Sequence, residues 1–343
     1  MTDDNTNQES AFATVLNDAY GMVKTRAIHL AALLGLADLV KDGPKSIAEL
    51  AAATETHPST LYSLLYALAN CGYFVEVEAG VFAQSALSSV LCTDNPRSLR
   101  ALMILTGEEF QWRPVQYALQ GIRTGKEVFT EIFGKDYWSY LREDNPEAGR
   151  RFAQAMRSVS AQGDQAVARG YDFSAADTIV DVAGGQGSLL TTILQMYPTS
   201  RGTLFDQASV IESARQLPSI NELQGRMTLV PGSFFEAIPP GGDVYIIKHV
   251  IHDWEDAECV QILSNCRKVM SAGSRLLVVD EIIVPGQKIA QSVALLDLLL
   301  RFLLPGRKRT EAEHRVLFDA ASLQLLHTYP TESNYVILET VKK

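Results

Sequence analysis

The sequence predicts an α/β protein: a Rossmann-like domain with a mainly parallel sheet, preceded by an α-rich winged-helix domain. Three observations carry this. From about residue 173 onward, β-branched runs alternate with helical segments, the pattern of a parallel sheet covered on both faces. The run Asp181-Val-Ala-Gly184-Gly185-Gln-Gly187 sets a glycine turn between a strand and a helix. Before residue 100 the order is helix, turn, helix, ribbon.

Residues 12–40 carry Leu16, Ala19, Val23, Ala27, Leu30 and Leu34 at helical spacing. Ser46-Ile-Ala-Glu49 reads as a capping box opening a short helix. Pro58 starts the next helix, on which Leu61, Leu64, Leu65 and Leu68 make one apolar stripe, and Gly72 stops it. Residues 73–78 and 81–83 read as a ribbon around Ala79-Gly80. A winged helix suggests a DNA-binding regulator. The charges oppose that: residues 46–91 contain no Lys or Arg, while Glu49, Glu55, Glu76 and Glu78 are acidic. A recognition helix without cations cannot neutralise phosphates. The apolar faces are instead expected to pack against a second subunit.

The expected division is a dimerisation domain over 1–100, a helical connector lining the substrate pocket over 101–172, and a catalytic domain over 173–343. The connector reads as helices over 96–120 and 148–163. On the second, Phe152 and Met156 sit one turn apart, either as core or as the wall of an aromatic pocket. The catalytic domain reads as strands over 178–181, 202–206, 226–230, 243–248, 275–280 and 334–339, with helices over 188–197 and 257–270.

The glycine turn does not suit a dinucleotide, because the third glycine of G-x-G-x-x-G is replaced by Leu190. Asp206 ends the next strand, 19 residues after Gly187, where a carboxylate accepts from both ribose hydroxyls. Gly232-Ser233-Phe234-Phe235 closes a further strand, where an adenine would find an aromatic face. His252 follows the strand 243–248, with Lys248, His249, Asp253 and Trp254 in the same loop. Asp280-Glu281 end the neighbouring strand. A histidine with a pKa near ~6.5 removes a proton from a phenol-like hydroxyl at neutral pH, and a carboxylate on its other nitrogen fixes the tautomer.

Composition narrows the rest. The net charge of −10 gives no reason to expect nucleic acid or an anionic membrane as partner. The first ten residues carry Asp3, Asp4 and Glu9 and lack the basic start and apolar core of a signal peptide. The richest apolar runs, 29–40 and 293–304, are interrupted by Asp38, Asp297 and Arg301, so no membrane span is expected. The four cysteines lack metal-site spacing, so free thiols in a cytoplasmic protein and no structural metal are expected. Asp297 and Arg301 stand at i, i+4 and are expected to pair.

These motifs together resemble the small-molecule O-methyltransferases of the caffeic-acid type and their bacterial relatives in natural-product tailoring. The resemblance rests on Asp-Val-Ala-Gly-Gly-Gln-Gly (181–187), Leu-Phe-Asp (204–206), Gly-Ser-Phe-Phe-Glu (232–236), Lys-His-Val-Ile-His-Asp-Trp (248–254) and Gly-Arg-Lys-Arg-Thr-Glu-Ala-Glu (306–313), and covers nearly the whole chain. It implies a homodimer that binds S-adenosylmethionine and methylates a hydroxyl of an aromatic or heteroaromatic small molecule in secondary metabolism. Asp181, Gly184, Gly185, Gly187, Asp206, Gln207, Gly232, Ser233, Phe234 and Lys248 would surround the cofactor. His252 would take the substrate proton, with Asp253 and Glu281 in support and Asp280 as the one-residue alternative to Glu281. Trp112, Phe152, Met156 and Leu300 would line the acceptor pocket, closed by the helix over 293–304. Two residues depart from the family: Ser233 where Asp is usual, and Lys308 where plant members carry Glu. A relative that keeps this fold but performs hydroxylation or a pericyclic step is the alternative, opposed by the intact His252.

Overall fold

The computed structural model describes residues 2–343; Met1, the start of the acidic segment read above, lies outside the described residues. The chain forms two compact units, the first ending at Trp112 and the second spanning residues 113–343.

In the first unit, helices Thr2–Ala19, Gly21–Leu33 and Leu36–Leu39 lead into β1 (Lys45–Ser46). Then come helices Ile47–Thr54 and Pro58–Asn70, followed by β2 (Phe74–Glu78) and β3 (Val81–Gln84). The three strands form an antiparallel sheet in the order β1-β3-β2, which completes the winged helix. The segment over 12–40 is not one helix. It breaks at Tyr20 and again at Gly35, whose φ of +65° suits a residue without a Cβ. The capping box forms as its sequence requires: Ser46 Oγ accepts the Glu49 amide at 3.3 Å, and Glu49 accepts the Ser46 amide at 2.8 Å. Leu61, Leu65 and Leu68 pack against Leu50, Phe74 and Phe82 in the core of this unit, contributing roughly 1.5–3 kcal/mol each. On other faces of the unit's helices, Phe12, Val15, Tyr20, Met22 and Val23 stay 62–78% exposed.

The second unit carries the 25-residue helix Pro146–Gly170 ahead of a seven-stranded sheet. Its strands are β4 (Thr178–Val182), β5 (Arg201–Asp206), β6 (Met227–Pro231), β7 (Val244–Lys248), β8 (Arg275–Asp280), β9 (Leu323–Pro330) and β10 (Val336–Lys342). The order is β6-β5-β4-β7-β8-β10-β9. β4 to β8 are mutually parallel, whereas β10 runs antiparallel to both β8 and β9.

Alternation along the buried strands divides the core into two layers. Val180, Val182, Tyr245 and Ile247 join Ile262, Leu263 and Phe318 on one face. Ile179, Val244 and Ile246 join Val167, Leu190 and Ile193 on the other. Among the described residues, no helix is long and apolar enough to cross a membrane.

Candidate active site

The parallel strands deliver their carboxyl ends to one edge of the sheet, and the residues singled out in the sequence gather there. β4 ends at Val182, and the chain turns through Ala183, Gly185 and Gly187 with φ of +56°, +59° and +78°. The helix Ser188–Met196 starts directly after the turn. The next strand to the other side, β7, also ends in a left-handed residue, His249 at φ +56°. Left-handed backbone at a non-glycine costs of order 1–3 kcal/mol, and two such residues at the ends of adjacent strands mark this edge as a place where geometry outranks stability.

Asp206 ends β5 and faces the turn. It accepts the Gly185 amide at 2.8 Å and the Gln207 amide at 2.7 Å. Burial pushes its carboxyl up to about 6 against the pull of those two amides. Asp181, on β4, is 2% exposed, and its Oδ2 makes no hydrogen bond. Burial raises this carboxyl to about 7, opposed by the Lys248 cation. Lys248 ion-pairs with Asp164, a wholly buried residue of the helix Pro146–Gly170, and stands 5.5 Å from the centre of the Tyr335 ring. Asp164 was not anticipated. Its one signal in the sequence is an acid placed just before the apolar run Ala166, Val167, Ala168, all of which are buried. After β6, Gly232 donates to the Asp206 carbonyl at 2.9 Å, and a Cβ there would press within 2.5 Å of the Phe205 ring. Ser233 Oγ accepts the Phe235 amide at 3.3 Å. Phe234 and Phe235 pack edge-on with each other and with Trp254.

His252 lies in a single turn, Ile251–Asp253, just past β7. Its Nδ1 donates to both oxygens of Asp280 at 2.8 and 3.0 Å, and Asp253 approaches its Nε2 at 3.4 Å. Asp280 is therefore the acid on the imidazole. Glu281 turns away and ion-pairs with Lys308. Burial alone would lower the His252 pKa, but Asp280 and Asp253 outweigh it and raise it to about 9. Asp280 is held far below the ordinary carboxylate range: burial opposes this, and the His252 partner overcomes it. Asp253 is raised to about 7 by burial.

The segment 306–309 straps this turn down. A Cβ on Gly306 would fall 2.2 Å from the His252 carbonyl oxygen, so only glycine fits. The buried Arg309 guanidinium donates to the Ile251 carbonyl at 2.7 Å, to the Trp254 carbonyl at 2.8 Å and to Asp256 at 2.7 Å. Asp297 accepts the Lys308 amide at 3.2 Å rather than pairing with Arg301 as expected, since the strap's unpaired amide lies within its reach.

The acceptor-pocket residues are spread more widely. Phe152 meets Trp138 at 5.4 Å and Tyr137 at 6.0 Å in an aromatic cluster with Phe129, Phe133 and Tyr140, and Met156 follows it half-buried on the same helix. Leu300 is half-buried on the helix Gln291–Leu303, where Leu295, Leu296 and Leu298 are exposed. Trp112 is the last residue of the first unit and is 40% exposed.

Residues 115–324 match the O-methyltransferase domain, and residues 16–94 match the O-methyltransferase dimerisation domain. The chain belongs to the O-methyltransferase family. It is 38% identical to a mitomycin biosynthesis 6-O-methyltransferase of Streptomyces lavendulae, over 97% of this chain and 95% of that one. It is also 38% identical to the phenazine O-methyltransferase PhzM of Lysobacter antibioticus, over 92% of each. The solved methyltransferase of calicheamicin biosynthesis, with S-adenosylhomocysteine bound, superposes with a TM-score of 0.79 at 33% identity, covering 98% of this chain and 99% of that one.

The enzyme is thus an S-adenosylmethionine-dependent O-methyltransferase. The edge described above fits that cofactor. A Cβ on Gly185 would meet nothing within 4 Å, so there is open space over the turn, and the buried Asp181 Oδ2 is a hydrogen-bond acceptor without a partner.

Proposed function

We propose that the enzyme methylates a hydroxyl group of an aromatic or heteroaromatic small molecule in antibiotic-type secondary metabolism, working as a homodimer with His252 as the general base. The observation that carries this reading is the bond from His252 Nδ1 to Asp280 at the carboxyl edge of the sheet. Relatives named for mitomycin and phenazine substrates support a flat, polycyclic acceptor. The aromatic cluster around Phe152 and the apolar helix Gln291–Leu303 supply surfaces of matching character.

S-adenosylmethionine brings an electrophilic methyl group on a positively charged sulfur, so the tasks left to the protein are positioning and proton removal. Asp206 and the amides of the glycine turn would hold the ribose, and Ser233 and Phe234 would flank the adenine. Asp280 holds the Nδ1 proton, leaving Nε2 to accept the proton of the acceptor hydroxyl. Asp253 flanks that nitrogen and stabilises the imidazolium as it forms. In the loaded enzyme the positive charge of the cofactor would lower the proton affinity of His252 and favour its neutral form.

His252→Ala should lower turnover by ~10²–10⁴ while leaving cofactor affinity by calorimetry within a few-fold of wild type. The deficit should shrink as pH rises and a phenolic acceptor ionises unaided. Near-full activity of the variant at pH 7 would remove His252 from the mechanism.

A further inference from the structure

Lys248 and His249 are consecutive, yet both meet the same ring. Lys248 Nζ stands 5.5 Å from the centre of Tyr335, and the His249 ring lies 4.7 Å from it, edge to face at 82°. Regular alternation along β7 forbids this. Val244 and Ile246 pack in the same layer as Tyr335, and Lys248 continues that face, so residue 249 would follow Tyr245 and Ile247 to the opposite one. The φ of +56° at His249 breaks the alternation and turns its ring back toward Tyr335. Pairing survives the twist: the His249 amide still donates to the Val279 carbonyl at 3.1 Å.

The second neighbour of this ring is His252. The two imidazoles meet edge to face, with 5.0 Å between centres and 72° between planes. His249 is thus wedged between Tyr335 and His252. Its Nε2 is buried and bonds to nothing, so packing rather than a hydrogen bond at that nitrogen seats it. Tyr335 is a firm backstop. It is 8% exposed, and its ring fills the space that a Cβ on Gly163 would need, 2.0 Å away. Its carbonyl accepts the Thr331 amide at 3.2 Å and the Thr331 hydroxyl at 2.7 Å. The next residue, Val336, pairs in register with Asp280. The start of β10 therefore supports His252 twice: through Asp280 at Nδ1, and through Tyr335 and His249 against the ring itself.

We infer that His249 is a positioning residue, a strained aromatic spacer that seats the His252 ring so that Asp280 keeps its grip on Nδ1 and Nε2 stays aimed at the acceptor. The inference rests on His252 being the base of the proposed reaction. Left-handed backbone away from glycine persists only where the surroundings over-determine it, and here Tyr335 and His252 do so from two sides. The spacer is also uncharged. Burial first, and the His252 charge next, hold His249 well below its ordinary pKa, so it adds no cation beside the base.

The test reads the proton that Asp280 holds on His252 Nδ1, observed by NMR in the cofactor-free enzyme and assigned by its absence in His252→Asn, alongside turnover of a hydroxyphenazine acceptor. His249→Ala should shift or broaden that resonance and lower kcat by ~10–10²-fold, while the acceptor KM and the calorimetric affinity for S-adenosylhomocysteine stay within a few-fold of wild type. His249→Phe, which keeps a ring and discards its nitrogens, should restore both the resonance and kcat. On a His252→Ala background, His249→Ala should cost almost nothing further, because a spacer acts only through the ring it holds. His249→Gly adopts the positive φ without strain and replaces the alanine variant if that one does not fold. A resonance and kcat unmoved in the folded variants, a full loss repeated on the His252→Ala background, or no rescue by phenylalanine would overturn the inference. If the resonance moves and returns as described while His252→Ala keeps its turnover, the spacer stands and the assignment of His252 as base fails.

Discussion

Asp280 grips Nδ1 of His252 with both carboxylate oxygens, at 2.8 and 3.0 Å, across 28 residues of sequence. The bond fixes which ring nitrogen carries the proton. Asp280→Asn keeps the shape but lets the ring adopt the other tautomer, with the proton on the nitrogen that must be free. Turnover should fall by ~10²–10⁴. Combined with His252→Ala, the change should add little, because the two residues act as a unit. Independent, additive losses in steady-state kinetics would contradict that coupling.

Asp206 should dominate cofactor affinity. Hydrogen bonds to charged groups are worth ~1.5–3 kcal/mol, so Asp206→Ala should weaken S-adenosylhomocysteine binding by ~10-fold or more. Because burial raises this carboxyl to about 6, wild-type affinity should also decline as pH falls through that value. Calorimetry between pH 5 and 8 reads both effects, and a flat pH dependence would separate Asp206 from the ribose.

Asp181 sets stability against binding. Its folded pKa of about 7 exceeds the ordinary carboxylate value, so the unfolded chain ionises first as pH rises. Below ~4 both states are protonated and the residue is neutral to stability. From there up to pH 7 it makes the fold progressively less stable, and the full cost stands above pH 7. Asp181→Asn should therefore raise Tm most at pH 8 and hardly at all near pH 4, while cofactor affinity drops. Thermal melts at the two pH values check the sign.

Dimer formation should depend on the apolar side chains left exposed in the first unit. Wild-type protein should scatter light as a dimer at micromolar concentration. Met22→Glu with Val23→Glu should yield monomers, since burying two unpaired carboxylates opposes association. Wild-type monomers at that concentration would count against the homodimer.

Much of this was legible because it is written locally. The capping box at Ser46, the leucine stripe from Leu61 to Leu68 and the glycine turn at Gly184–Gly187 each depend on residues within a few positions of one another, and each appears where its spacing put it. The supports of the site were less legible. Asp280 ends β8 and meets His252, while Glu281, the next residue, lies past the strand and pairs with Lys308; a one-residue ambiguity in sequence therefore decides which acid touches the ring. The Asp164–Lys248 pair joins positions 84 residues apart. β9 was missed because the exposed Leu326 and the polar His327 blur its apolar–polar alternation, although its burial alternates from Leu323 to Leu326. Tyr20 and Gly35 interrupt an apolar spacing that by itself suggests one continuous helix.

The placement of β10 governs when the catalytic unit can exist at all. β8 has β7 on one side and β10 on the other, so until residues 336–342 leave the ribosome one flank of β8 offers bare amides and carbonyls. Leu276, Leu277, Val278 and Val279 lie along that flank, a template for pairing with another nascent chain. β9 emerges earlier yet takes the outermost position, so it cannot cover the gap alone. Emergence of residues 336–342 is thus the moment at which the sheet can close over the open flank of β8.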